Sequence, residues 1–300
     1  EFQQVIDQNS RLAESYRAEG IAYYSEKAYP EAIAAFSRSL NNMDDPDKEF
    51  KKDVQFYLAQ ARMDYGEVDK AIEVYSEILK AGEDEQAFFL RGKAYISMED
   101  YKNAEKDFQR ALEGCEDYNL YINIYQIYVD HNKAVDGDAY LKMALELEPQ
   151  DGEDCYHRGR IYEYEKNYEA ARDELKTVME QGYEDAMLLL GRVYLEMEDP
   201  ASARSMYQEY LQKSEQGAKA YNGLAMCDIY DGAYDSALEN IAQGLKENSK
   251  EDEQGLLYNE IVAYEYKRDF ATAKEKMKIY LEQYPEDEAA LRENEFLSTR

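Results

Sequence analysis

The chain holds few of the side chains that carry out covalent or metal-dependent chemistry. It has two histidines, His131 and His157, and three cysteines, Cys115, Cys155 and Cys227. The cysteines lie far apart, which suits neither a disulfide framework nor a set of zinc ligands. The sequence contains no His-Glu-x-x-His, P-loop, Gly-x-Gly-x-x-Gly or Gly-x-Ser-x-Gly motif. We therefore expect no enzyme, no metal site and no cofactor, which leaves the binding of a partner as the chemistry to examine.

The charge balance restricts the kind of partner. The chain carries 35 lysines and arginines against 65 aspartates and glutamates, a formal net charge of −30. Nucleic acids and anionic membranes are both bound through basic surfaces. We therefore expect no nucleic-acid partner and no direct binding of this region to an anionic membrane. A protein or peptide partner remains, and an acidic or extended segment suits the few cations present.

Small and aromatic residues recur at a fixed spacing along the chain. A glycine is followed three residues later by a tyrosine in Gly20/Tyr23, Gly92/Tyr95, Gly159/Tyr162 and Gly191/Tyr194. An alanine follows each of these glycines after twelve residues, at Ala32, Ala104, Ala171 and Ala203. The glycines are separated by multiples of about 34 residues, and the gaps hold weaker copies of the pattern. A repeat of this length predicts a solenoid of small helical units.

The pattern resembles the tetratricopeptide repeat (TPR) family, a helix-turn-helix unit of about 34 residues, and in particular its stand-alone, bacterial-type multi-repeat members. With the glycine as position 8, the repeats begin near residues 13, 52, 85, 118, 152, 184, 218 and 254. The resemblance implies an all-α, right-handed superhelical solenoid of about eight TPR units over residues 13–286. Residues 1–12 are expected to extend the first helix, and residues 287–300 to form a C-terminal capping helix.

Several repeat positions are expected to hold the fold together. Small residues at positions 8 and 20 allow the two helices of a repeat to approach, and larger residues at positions 4, 11, 17 and 24 fill the space around them. Positions 7 and 23 vary together, which predicts ion pairs inside a repeat. These pairs are Arg91–Asp107, Arg158–Glu174 and Glu260–Lys276. In the fourth repeat Tyr125 replaces the glycine and Gly137 replaces the alanine, so we expect its second helix to start late or to be distorted.

The candidate binding residues are found on the first helix of each repeat, which faces the concave groove in this family. Position 9 is basic or an amide in the four central repeats, and position 6 and two tyrosines add to the same surface. The predicted groove residues are Lys93, Asn123, Gln126, Tyr156, His157, Arg160, Tyr164 and Arg192. Cations and amides in such a stripe can hold carboxylates or backbone carbonyls of an extended segment. The alternative is that Arg160 pairs with Glu163 and Arg192 with Glu196 on their own helices, leaving a solvated groove.

We therefore predict a non-catalytic scaffold for protein–protein interaction that binds an extended peptide or a partner's helix in the groove. One alternative is a structural or assembly protein that uses its ends or its convex face. Another is the sensor half of a peptide-responsive regulator. The absence of an initiator methionine favours an exported or membrane-anchored lipoprotein whose leader was removed, whereas three unpaired cysteines favour a cytoplasmic protein.

Overall fold

The computed structural model describes residues 12–43 and 48–300, and the regular secondary structure of these residues is entirely α-helical. The described helices are α1 (Leu12–Ser25), α2 (Tyr29–Asn41), α3 (Lys48–Tyr65), α4 (Val68–Ala81), α5 (Glu85–Ser97), α6 (Tyr101–Ala111), α7 (Tyr118–Asp130), α8 (Ala134–Leu145), α9 (Gly152–Tyr164), α10 (Tyr168–Glu180), α11 (Asp185–Glu196), α12 (Pro200–Lys213), α13 (Ala218–Tyr230), α14 (Tyr234–Lys246), α15 (Lys250–Tyr266), α16 (Phe270–Gln283) and α17 (Glu288–Ser298). Odd-numbered helices from α1 to α15 are the first helices of the predicted repeats, and even-numbered helices are the second.

The chain forms two compact units, Glu1–Ala144 and Leu145–Arg300, which we call unit 1 and unit 2. Each unit is built of successive helix pairs whose apolar faces pack together, and the predicted all-α helical-repeat fold is confirmed. The right-handed course of the superhelix, the limits of the repeat region at 13–286 and the capping role of residues 287–300 stay predictions. The predicted helix extension at 1–12 falls almost wholly on residues 1–11, which lie outside the described residues.

Close helix packing inside a repeat depends on the glycine at position 8. A Cβ atom added to Gly92 would lie 2.7 Å from the ring of Phe108, and one added to Gly159 would lie 2.8 Å from the side chain of Leu175. In both cases the second-helix residue occupies position 24, so its side chain fills the space that the missing Cβ leaves. The predicted roles of positions 8 and 24 are therefore confirmed by the packing of α5 on α6 and of α9 on α10.

Ion pairs join positions 7 and 23 as the covariation among the repeats predicts. Arg91 binds Asp107 through two hydrogen bonds, of 2.7 Å from Nε and 2.8 Å from Nη2. The Nε atom of Arg158 lies 3.0 Å from Glu174, and the Nζ atom of Lys276 lies 2.8 Å from Glu260. These three pairs are confirmed. Arg91 and Arg158 therefore hold helices together.

The turn between the two helices has the same backbone conformation in all eight repeats. The residue at position 15 has a positive φ, between 57° and 87°, at Lys27, Gly66, Glu99, Asn132, Lys166, Glu198, Gly232 and Arg268. The amide of the following residue donates to the carbonyl of position 11, for example from Asp100 to Tyr95 at 2.9 Å and from Asn167 to Tyr162 at 2.8 Å. This is the Schellman arrangement, which satisfies the free carbonyls at a helix end. It reverses the chain, so consecutive helices run in opposite directions.

The expected late start of the second helix in the fourth repeat is wrong. Helix α8 begins at Ala134, which is position 17 of its repeat, the same position at which α6 and α10 begin. The exchange of residue sizes explains this regularity. A Cβ atom on Gly137 would lie 3.0 Å from side-chain atoms of both Tyr125 and Tyr128, so the small residue on α8 makes room for the large ones on α7.

Candidate functional site

The predicted binding residues divide between the two units. Lys93, Asn123 and Gln126 lie on α5 and α7 of unit 1, where all three are exposed. The other five, Tyr156, His157, Arg160, Tyr164 and Arg192, lie on α9 and α11 of unit 2. A stripe that runs through both units stays a prediction, and the site described below belongs to unit 2 alone.

Unit 2 contains a groove of about 1220 Å³ whose floor is formed by its first helices, α9, α11, α13 and α15. Four of the predicted residues line it, namely Tyr156, Arg160, Tyr164 and Arg192. The first helices run in the same direction because each intervening second helix reverses the chain. Two contacts agree with this, since Tyr156 near the start of α9 meets Tyr183 just before α11, and Glu163 near the end of α9 meets Arg192 on α11.

Arg192 is held in place across the groove by a carboxylate of the preceding repeat. Its Nε and Nη2 atoms both donate to Glu163, the second at 2.6 Å. The Glu163 side chain is 11% exposed and that of Arg192 is 58% exposed. The carboxylate is therefore buried beneath the groove surface, and the guanidinium faces the groove. Burial lowers the pKa of Arg192, but the hydrogen bond to Glu163, the charge of Glu163 and the nearby tyrosines together raise it. The pairing of Arg192 with Glu196 proposed from the sequence is therefore wrong, because the neighbouring repeat supplies the partner.

Tyr156 forms the aromatic wall of the groove. Its ring centroid lies 5.7 Å from that of Tyr183 and 5.5 Å from that of His157. Burial raises the pKa of the Tyr156 hydroxyl, and the nearby charges of Arg160, Arg192 and Lys219 act in the opposite direction. The positive charges of three successive first helices therefore converge on one phenol.

His157 lies behind the groove and does not line it. The residue is only 7% exposed, and its Nδ1 atom is 3.3 Å from Nη1 of Arg160. Its Nε2 atom is 3.8 Å from a Glu153 carboxylate oxygen. Position 6 faces the core side of α9 here, so His157 supports Arg160 from below, where it is out of reach of a ligand in the groove.

The sequence interpretation did not identify Tyr207 as a groove residue. Tyr207 lies on the second helix α12, at the framework position 24, yet its side chain lines the groove floor. Its ring reaches there through a gap between α11 and α13, where a Cβ atom on Gly191 or Gly223 would lie 2.6 Å or 2.3 Å from it. The signal was present in the sequence as a second glycine, Gly223, on the helix that follows Tyr207.

Two amides and a lysine on later helices also line the groove and were not predicted. Asn259 on α15 donates to the side-chain carbonyl of Asn222 on α13 at 2.8 Å. Lys219 at the start of α13 lies 2.9 Å from Glu251 at the start of α15. Position 9 in these two repeats is apolar, so the predicted stripe ends where other positions take over the polar contacts.

Carboxylates line the groove in larger number than cations. The acidic lining residues are Asp185, Glu196, Glu215, Glu247, Glu251 and Asp252, against Arg160, Arg192 and Lys219. Part of the negative charge of unit 2 therefore lies in the groove, because residues at or just before the starts of the first helices face inward there.

The described residues hold few groups suited to other chemistry. Among them, no cluster of three or more His, Cys, Asp or Glu side chains has the geometry to hold a metal ion. Burial raises the pKa of the Cys155 and Cys227 thiols, which disfavours the reactive thiolate. None of the helices in residues 12–43 and 48–300 combines the length and apolar character that crossing a membrane requires.

Comparisons with known proteins agree with this architecture. Profiles of the family described as tetratricopeptide repeat match residues 85–117, 156–218 and 188–253. A crystal structure of a tetratricopeptide repeat protein from Parabacteroides merdae ATCC 43184 is similar over 84% of this chain and 100% of its own, with 12% identity and a TM-score of 0.55. YrrB, described as a TPR protein with an unusual peptide-binding site, is 26% identical over 63% of this chain and 97% of its own, with a TM-score of 0.40.

No curated protein matches the sequence. The matched residues lie within a run of helix pairs that continue the same geometry on either side of them. Such a fold is in general a non-catalytic interaction module. The chain contains tetratricopeptide repeats at residues 85–117 and 156–253, within an all-α helical-repeat fold.

Proposed function

We propose that this protein is a non-catalytic interaction scaffold that holds an extended peptide or a partner's helix in the groove of unit 2. The observation that carries this proposal is the wall of Tyr156, Arg160, Tyr164 and Arg192 on two neighbouring first helices. Large amphipathic rings and arginines are the residue types enriched where proteins bind one another. The groove also has room for a segment of main chain with its side chains.

The ion pair between Arg192 and Glu163 supports binding and does not oppose it. Glu163 occupies Nε and Nη2, so the remaining nitrogen, Nη1, can donate to a partner. Because the guanidinium is already held in one orientation, little side-chain entropy is lost when it binds. The solvated-groove alternative relied on a pairing within one helix, and this structure holds Arg192 between two.

The test is capture of partners from the native organism followed by titration calorimetry. Charge-assisted hydrogen bonds contribute about 1.5–3 kcal/mol each, so the double variant Arg160→Glu/Arg192→Glu should bind a captured partner at least about a hundredfold more weakly. The matched control is Arg172→Glu/Arg292→Glu, which makes the same charge change in unit 2 on α10 and α17, away from the groove. Equal affinity for both double variants, with circular dichroism unchanged, would locate the binding site elsewhere.

A second candidate function is assembly through the C-terminal helix. Leu291 and Phe296 on α17 are 44% and 42% exposed, although they are large apolar residues. Pairs of exposed apolar side chains at the end of a helical stack favour association. Sedimentation velocity over a range of concentrations tests this. Self-association that Leu291→Glu/Phe296→Glu abolishes supports assembly, and a monomer at every concentration rejects it.

A further inference from the structure

Most charges in the unit 2 groove lie in two parallel rows. One row lies at the starts of the first helices or just before them. We call it the acidic rim, and it consists of Asp185, Glu215, Glu247, Glu251 and Asp252. The other row lies further along α9 and α11. We call it the arginine face, and it consists of Tyr156, Arg160, Tyr164 and Arg192. There are two exceptions: Lys219 lies at the start of α13, where it pairs with Glu251, and Glu196 lies at the end of α11, beyond Arg192.

The distance between the two rows follows from helix geometry. Asp185 is the first residue of α11 and Arg192 follows seven residues later on the same helix. At a rise of about 1.5 Å per residue the two lie roughly 10 Å apart along the axis. Because the first helices are parallel, the acidic rim occupies one edge of the groove and the two arginines lie toward the other.

A hydroxyl lies on the floor between the first helices that carry the two rows. Tyr207 is 4% exposed and lines the groove, and within the described part of the chain its hydroxyl makes no hydrogen bond. Because this side chain lines the groove, its hydroxyl can donate to or accept from a ligand atom there. The Asn222 and Asn259 amides lie on the same floor. Hydroxyls and amides suit the N–H and C=O groups of a main chain that has no partner of its own.

An extended chain that crosses the four first helices would meet both rows at once. Successive side chains of an extended chain point to opposite sides, with a rise of about 3.3 Å per residue. One set of alternate side chains therefore faces the acidic rim, and the other set faces the arginine face. An all-acidic segment would place half of its carboxylates against the rim, where like charges repel.

Resting on the function proposed above, we propose that the groove selects an extended segment whose charges alternate, with basic side chains toward the acidic rim and carboxylate or aromatic side chains toward the arginine face. The partner is thus distinguished by the order of its charges, and its net charge is secondary. The main chain of the segment lies over Tyr207, Asn222 and Asn259, which donate to and accept from its peptide groups.

The experiment compares synthetic peptides of nine residues, acetylated and amidated so that neither end is charged. An alternating peptide contains four lysines and four glutamates in turn around a tyrosine, and a block peptide has the same composition with the lysines and glutamates separated. Equal composition removes the effect of attraction to a chain of net charge −30. Calorimetry at low salt should give at least tenfold tighter binding of the alternating peptide, and the preference should become smaller at high salt, because salt screens the charges that cause it.

Three protein variants assign the effect to the groove. Glu251→Lys/Asp252→Lys on the rim and Arg160→Glu/Arg192→Glu on the arginine face should each reduce the tenfold preference to less than twofold. Tyr207→Phe should weaken the alternating and block peptides by the same factor of about five, because it removes only a main-chain contact. Arg172→Glu/Arg292→Glu should leave the preference unchanged.

Other outcomes overturn the inference. These are equal binding of the two peptides, tighter binding of an all-glutamate peptide, or no binding of either peptide. In each case capture of a native partner that still depends on Arg160 and Arg192 would leave the proposed function standing. Capture that is insensitive to those arginines would reject the proposed function as well.

Discussion

Arg158 and Glu174 join the two helices of one repeat, and both side chains are largely buried, at 17% and 24% exposure. We expect Arg158→Glu to destabilise the fold by about 3–5 kcal/mol, because it leaves two carboxylates together without a cation. Exchanging the two residues should recover part of this loss. Recovery should be incomplete, because Arg158 also donates to the carbonyl of Leu147 at 3.1 Å, which the exchanged arginine cannot reach. Urea denaturation measures both, and an exchange variant no more stable than Arg158→Glu would contradict the pairing.

Asp228 is a buried carboxylate at position 11, where most repeats have tyrosine. It is 3% exposed and accepts hydrogen bonds from Arg204 at 2.7 Å, Ser236 at 2.8 Å and Asn240 at 2.7 Å. Removing one member of such a network leaves the others unpaired in the core, so Asp228→Ala should cost about 3–5 kcal/mol.

The control for Asp228 is its neighbour in the same network. Asp231 also binds Arg204, at 2.9 Å, but its side chain is 48% exposed. Exposed ion pairs contribute at most about 1 kcal/mol, so Asp231→Ala should have little effect on the free energy of unfolding. Equal losses for the two variants would show that burial does not determine the value of this network.

Among the elements, the turns at position 15 are strained in six of the eight repeats, since a residue other than glycine adopts a positive φ there. The left-handed conformation costs such a residue about 1–2 kcal/mol. We expect Glu99→Gly to raise the free energy of unfolding by about 0.5–1 kcal/mol, since the gain exceeds the added flexibility of the unfolded chain. Lys106→Gly in the middle of α6 should instead lower it by about 1 kcal/mol. Thermal denaturation of the two variants measures both changes. If both substitutions destabilise the fold, the left-handed conformation at position 15 is not strained.

The contact between α15 and α17 should depend on pH. Burial and the neighbouring carboxyl of Glu293 raise the pKa of Glu265 from 4.5 to about 7. Between these values the folded chain holds a proton that the unfolded chain has released. The contribution of Glu265 to stability is therefore fully present below pH 4.5 and is lost as pH rises through 7. Each pKa unit corresponds to about 1.4 kcal/mol.

Chemical denaturation at pH 5, 6.5 and 8 measures this contribution. Glu265→Gln should have a smaller loss of stability between pH 5 and 8 than the unmodified protein, because the amide does not titrate. Glu282→Gln, an exposed position on α16, should keep the original slope. Identical slopes in all three proteins would mean that Glu265 does not hold the proton.

At the scale of the whole molecule, the net charge of −30 opposes the compact state. Salt weakens this repulsion, since the screening length falls from about 30 Å at 0.01 M to about 3 Å at 1 M. We expect the Tm at pH 7.5 to rise by several degrees over this range of sodium chloride. Near the isoelectric point of about 4.4 the same salt series should have little effect. A Tm that falls with salt at pH 7.5 would show that the ion pairs outweigh the repulsion.

The sequence alone determined the helix pairs, because their spacing is set by local patterns. Small residues at position 8 and large residues at position 24 must meet within one repeat, and covarying charges such as Arg91 and Asp107 reveal their contact. The position-9 arginines Arg160 and Arg192 both line the groove, as the resemblance to the family implied, and their role in binding stays a prediction.

Only the tertiary structure showed the contacts between neighbouring repeats. Three features join residues of different repeats. These are the ion pair of Arg192 with Glu163, the position of the Tyr207 ring between Gly191 and Gly223, and the acidic rim. No periodic signal marks them, because each occurs once among the residues that the structure describes. The left-handed turns were likewise hidden, since the backbone hydrogen bonds that impose them accept lysine, glutamate or arginine at position 15 as well as glycine. Because the contacts inside one repeat recur along the chain, they can be predicted from the sequence. The contacts between neighbouring repeats depend on how the helices stack, which the sequence pattern does not show.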